Sequence, residues 1–233
     1  DTISRGRDPE QHAQAARKSM DAEYSSMNAS GKPFDPNSWE GVDWDTLMSG
    51  LDRTALAAVS SNQNGLFSKQ ERDTAMSLMA QQEALAGGWY FGPSNLESKF
   101  ISEPISGQGY SAKGSNSNEY LTQLQNMITY RDKVGSYEKT TASWAYERAG
   151  AQQQYQLEMD EAGKPYESKY ISSLPSVNIL DALMQSVPTG HMYDQPSVLD
   201  VSNIFQIEWA KGHESAILKA LKKTREELGY PQN

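Results

Sequence analysis

Helix punctuation restricts the fold of this chain more than any other feature. Asp8-Pro9-Glu10-Gln11 places a capping side chain, then proline at the first helical position, then glutamine at the third. A polar helix should follow to about Met27 and stop at Gly31-Lys32-Pro33. Residues 34–43 combine proline, asparagine, glycine and two aromatics, and read as a connecting loop. Leu47, Leu51, Ala55, Leu56 and Val59 then repeat at helical spacing. Ser68 to about Ala86 should be the next helix, ended by Gly87-Gly88.

The second half is punctuated in the same way. Ser117 or Asn118 can cap a helix running to Val134, with Gly135 as its stop. Ser136 opens a longer one to about Ala162, with Trp144, Ala151, Tyr155, Met159 and Ala162 on one face. Arg148 interrupts that stripe, so the face should be only partly buried, with the arginine stem lying along it. Ile179, Leu180, Leu183 and Met184 mark a shorter helix, and Ile204–Trp209 with Ile217–Leu228 a final pair joined near Gly212. Alternating β-branched runs of useful length do not occur. The fold class expected is therefore mainly α: a multi-helix bundle over residues 1–233, read as one domain around the 136–162 helix. Gly107, Gly109 and Gly114 make 103–118 a long Gly/Ser-rich loop or an internal linker.

Charge and composition then remove several classes of function. Net charge is −9 and the pI is near 4.9, which opposes broad contact with a nucleic acid backbone. The densest basic group, Lys219, Lys222, Lys223 and Arg225, is followed by Glu226 and Glu227 and reads as a solvated helix face. No apolar run approaches the roughly 18 residues that span a bilayer. Cysteine is absent, so disulfides, thiolate metal sites and a cysteine nucleophile are excluded. That absence fits a secreted bacterial protein. The chain opens at Asp1 with neither methionine nor apolar leader, which reads as a processed or trimmed start.

One segment carries an ordered chemical pattern: Ser60-Ser61-Asn62-Gln63-Asn64-Gly65-Leu66-Phe67-Ser68-Lys69-Gln70-Glu71. Counted as twelve positions, oxygen-bearing side chains fall at one, three, five and nine, glycine at six and glutamate at twelve. This resembles the calcium loop of EF-hand proteins, over about 30 residues with the flanking helices. The resemblance implies Ser60, Asn62, Asn64, the Leu66 carbonyl, Ser68 and Glu71 as ligands, with Gly65 supplying the turn. The pattern is degenerate: position one is a serine, and Asn62 and Asn64 are neutral. A single carboxylate, offset by Lys69, places any calcium affinity at the weak end of the class. The same residues also have a metal-free account, with Ser68 and Glu71 as a capping box and Asn64-Gly65 as a turn. Separately, Leu51–Gln81 and the Ser143-Trp144-Ala145 helix resemble segments of uncharacterised bacterial proteins.

Other chemistry is thinner. Trp39-Glu40-Gly41-Val42-Asp43-Trp44-Asp45 sets three carboxylates among two indoles. A glycan-directed hydrolase could use such a set, if the acids stood about 5–10 Å apart in a cleft. Otherwise Asp43 or Asp45 caps the next helix while the tryptophans anchor the loop to the core. Gly109–Gly114 misses the nucleophile-elbow spacing by one place, and its lysine precedes the glycine, unlike a phosphate loop. His191 with Tyr193 and Asp194 is a possible acid–base neighbourhood or a surface turn. No convincing catalytic set emerges. The sequence favours a non-enzymatic helical interaction protein with a protein partner and no cofactor beyond weakly bound calcium. Four glutamines, Gln152, Gln153, Gln154 and Gln156, should face solvent for such contacts.

Overall fold

The computed structural model describes residues 8–62, 64–90, 92, 97–98, 117–186 and 201–230. It is mainly helical, with no strand among the described residues, as the capping signals and missing alternation require. Eight α-helices are present there: α1 Pro9–Ala29, α2 Val42–Met48, α3 Arg53–Ser61, α4 Lys69–Gly87, α5 Ser117–Lys133, α6 Ala142–Glu161, α7 Pro175–Gln185 and α8 Glu214–Glu227. The chain divides into two compact units, residues 1–85 with 89–109, and 86–88 with 110–233. The 103–118 segment, Gly109–Gly114 and His191–Asp194 fall outside the described residues, apart from the α5 start at Ser117.

In the first unit, α1 is opened by the expected box: the Gln11 amide donates to Asp8 Oδ1 at 2.8 Å, and the Asp8 amide to Gln11 Oε1 at 3.2 Å. Gly31 closes it at φ 77°, where a side chain would be strained. The helix expected through Leu47–Val59 is instead two. Asp52 is the reason: its backbone is extended, its carboxylate caps the Ala55 amide at 2.8 Å, and α3 starts afresh behind it. Ala13, Ala16, Met20 and Met27 of α1, Leu47 and Met48 of α2, and Leu56–Val59 of α3 are buried apolar residues of these helices, and α1 packs on α2 and α3.

In the second unit, α6 packs between α5 and α7, and α8 packs on α7. The helix expected from Ser136 begins later, because Thr141 takes the extended cap conformation and its hydroxyl accepts the Trp144 amide at 3.2 Å. Residues 204–209 form 3₁₀ turns, not an α-helix, and Gly212 at φ 81° precedes α8. Trp144, Val177, Leu180, Ile204, Ile207 and Ile217 belong to one apolar cluster, and Ile128, Tyr155, Met159 and Tyr170 to a second. The two similar sequences at Ser30–Phe34 and Ala162–Tyr166 are two identical helix stops. Lys32 donates to Met27 O and Lys164 to Met159 O, each across a left-handed glycine.

Arg148 departs most from the sequence reading. It is fully buried, and its guanidinium lies inside the unit with the stem. Its Nε and Nη2 donate to Asp132 at 2.8 and 3.0 Å, Nη1 to Gln152 Oε1 at 3.2 Å, and Nη2 also to the Tyr170 carbonyl at 3.1 Å. Gln152 and Gln153, expected in solvent, are 1% and 6% exposed. Gln152 is turned inward because it links the Ser172 amide, Arg148 and Asp181. Burial raises the Asp181 carboxyl above its ordinary value, against the hydrogen bonds from Gln185 and Gln152 and the charge of Arg148.

Candidate functional site

The Ser60–Glu71 segment joins α3 to α4 as a tight turn, with Gln63 outside the described residues. Asn62 sits in the left-handed region at φ 44°, a conformation asparagine tolerates better than most residues, and Gly65 follows at φ 67°. The Asn62 carboxamide clamps the backbone of Phe67: Oδ1 accepts its amide and Nδ2 donates to its carbonyl, both at 3.0 Å. That clamp folds the loop and turns the Phe67 ring inward, to 6% exposure. Asn64 and Leu66 are exposed, and the Ser60 hydroxyl donates to the Ala57 carbonyl at 3.1 Å.

Glu71 ends the loop and is 6% exposed. One of its oxygens, Oε2, accepts the Ser68 amide at 2.8 Å, and the Ser68 hydroxyl accepts the Glu71 amide at 3.2 Å. This is the capping box. The other oxygen accepts Arg17 Nη1 at 2.7 Å and the Tyr24 hydroxyl at 3.3 Å, both from α1. The Arg17 guanidinium lies 5.8 Å from the Tyr24 ring centroid and 5.6 Å from that of Phe67. Burial pushes the Glu71 carboxyl upward, but the hydrogen bonds from Arg17 and the Ser68 amide, with the charge of Arg17, hold it below its ordinary value. Burial and the neighbouring Glu71 charge push the Tyr24 hydroxyl up to about 12. Sequence spacing could not point to Arg17 or Tyr24, because both lie on another helix.

The Trp39–Asp45 cluster separates into parts. Glu40 at φ 48° and Gly41 at φ 72° bend the chain sharply into α2, so Gly41, not an aspartate, is the N-cap. Asp43 and Asp45 lie in the first turn, where the helix dipole favours negative charge. Asp43 accepts the Asp35 amide at 2.8 Å and so closes the preceding loop. Trp44 anchors as expected: its indole donates to the Pro36 carbonyl at 3.0 Å and meets Phe34 edge-on, with centroids 4.8 Å apart. Trp39 does not, and is 71% exposed.

Glu40, Trp44 and Asp45 line a pocket of about 250 Å³ with Asp73, Gln81 and Gly92. Asp43 is not among its walls. Comparison with protein-family models, with curated proteins and with solved structures finds no match to this chain. Function must therefore be read from the geometry alone. Among the described residues no group of three or more metal-ligating side chains is gathered, and no helix is long and apolar enough to cross a membrane.

Proposed function

We propose that the chain is a non-enzymatic helical interaction protein that docks a protein partner on the Trp39–Val42 turn, with the Ser60–Glu71 loop as scaffold. The observation that carries this reading is the exposure of Trp39, at 71%, with Val42 at 39% beside it. An indole held out on a turn fixed by the left-handed pair Glu40–Gly41 is the side chain most enriched at binding hot spots. A photo-crosslinker placed at Val42 of the full chain, in its own cells, should yield an adduct of one discrete mass. That adduct should vanish when Trp39→Ala is added. Absence of any adduct, or one indifferent to Trp39, overturns the reading.

The scaffold role of the loop rests on Glu71, whose two oxygens are taken by Ser68, Arg17 and Tyr24. A cation would have to displace Arg17 and would gain a single carboxylate in return, a poor exchange for a hard ion that needs six or more oxygens. Titration with calcium to millimolar concentration should therefore release no heat. Heat that disappears in Glu71→Gln would instead establish a weak calcium-binding module. A glycan-directed hydrolase is the second reading, favoured because Glu40 and Asp45 share one pocket with an indole. Oligosaccharide turnover abolished by Asp45→Asn would put that reading first.

A further inference from the structure

Asn64-Gly65 is the one asparagine–glycine pair in the sequence, and both residues are exposed on the turn between α3 and α4. Asparagine is thermolabile because its carboxamide carbon is open to attack by the amide nitrogen of the next residue. A Cβ on that next residue crowds the approach, and Gly65 has none. Space is clear around it: apart from its chain neighbours, a Cβ built on Gly65 meets no heavy atom within 4 Å. The loop's other asparagine is held differently. Asn62 keeps both ends of its carboxamide on the Phe67 backbone at 3.0 Å, and Gln63, which bears a side chain, follows it. Asn37 is also exposed, but Ser38 follows it. The Gly65 amide donates to the Asn62 carbonyl at 3.0 Å, so the attacking nitrogen is tied back to the end of α3 until the turn opens.

We propose that Asn64 is a self-modification site, converted slowly by water to an aspartyl or isoaspartyl residue at a rate set by the Asn62 clamp. The Gly65 nitrogen loses its proton to water and bonds to Asn64 Cγ. The Cγ–Nδ2 bond breaks, and Nδ2 leaves as ammonia. Water then opens the five-membered imide. Cleavage between Cγ and nitrogen leaves aspartate; cleavage at the backbone carbonyl carbon leaves isoaspartate, with the chain running through Cγ. Either product carries a carboxylate where a neutral amide stood, so the chain's net charge of −9 gains one further negative charge. The turn keeps its fold in the aspartyl form, because Asn62 and Phe67 make the clamp and Glu71 stays with Arg17 and Ser68. The conversion needs neither the docking surface nor a bound ion.

The full chain is held at mildly alkaline pH, sampled over time and cut with trypsin, and the Thr54–Lys69 peptide is followed by mass and fragmentation. The amide-to-acid mass gain should appear at Asn64 as two products separable by chromatography, while Asn62 and Asn37 keep their amides. Asn62→Gly leaves the left-handed backbone of residue 62 accessible but removes the clamp, and its helical circular dichroism is checked against the parent. It should convert about tenfold faster, because two hydrogen bonds no longer hold the turn closed. The isolated Thr54–Lys69 peptide, which has no clamp, should also outpace the folded chain, and this comparison stands even where Asn62→Gly misfolds. Asn64→Asp should keep the parent's urea midpoint. Overturning results are an unchanged mass at Asn64, earlier conversion at Asn62 or Asn37, or a peptide no faster than the folded chain. A folded Asn62→Gly converting at the parent's rate would remove the clamp as its control, and a lowered midpoint in Asn64→Asp would remove the tolerance of the turn.

Discussion

Asp132→Ala should cost about 3 kcal/mol of stability in the second unit. Arg148 is fully buried, whereas the Asp132 side chain is 38% exposed. Removing the aspartate therefore leaves the buried guanidinium with hydrogen bonds to the neutral Gln152 and Tyr170 carbonyl, and with the Asp181 carboxyl acting on it through charge alone. Breaking a buried pair from one side typically costs about 3–5 kcal/mol, and the partial exposure of Asp132 puts this case at the low end. Hydrogen exchange of the α6 amides in the folded protein reads the loss locally, without requiring the two units to unfold together. Arg148→Met combined with Asp132→Ala should recover most of it, because no charge is then stranded. Unchanged exchange in Asp132→Ala would show that water already reaches the guanidinium.

Glu71→Ala should destabilise the first unit by about 2–4 kcal/mol, the sum of a lost cap and of two donors left without their acceptor. Arg17 Nη1 and the Tyr24 hydroxyl lose their acceptor, while Arg17 keeps its pair with Asp21 at 2.8 Å, and the Ser68 amide is the lost cap. Glu71→Gln should cost less, since an amide oxygen can still accept from Ser68. The pH dependence separates charge from packing. Glu71 titrates below its ordinary 4.5 in the folded chain, so its contribution is complete above that pH and is lost as pH falls through the lower folded value. Tyr24 titrates near 12 against an ordinary 10.0, so its contribution is complete below pH 10 and is lost as pH rises toward 12. Urea midpoints across both windows, in the parent and in Glu71→Gln, check this. An acid limb equally steep in both proteins would remove Glu71 as its source.

Much of the fold was legible because its signals are short-range. The boxes at Asp8–Gln11 and Ser68–Glu71 and the glycine stops at Gly31, Gly88 and Gly163 act over three or four residues. Where two local signals competed, the reading slipped. Apolar spacing through Leu47–Val59 hid the cap at Asp52, and Ser136 looked as good a start as Thr141. The Trp39–Asp45 cluster was visible as a cluster, but its division into an anchored indole, an exposed one and a loop-closing aspartate was not.

The sequence by itself determined that the chain would be helical, where most helices begin and end, and that Ser60–Glu71 would turn with a self-capping start. Only the tertiary structure decided which polar side chains go inside. Arg17 meets Glu71 across 54 residues, and Arg148 meets Tyr170 across 22. Periodicity assigns a face to a residue but cannot say whether a partner waits on the facing helix. A charge stays in water without such a partner and is buried with one.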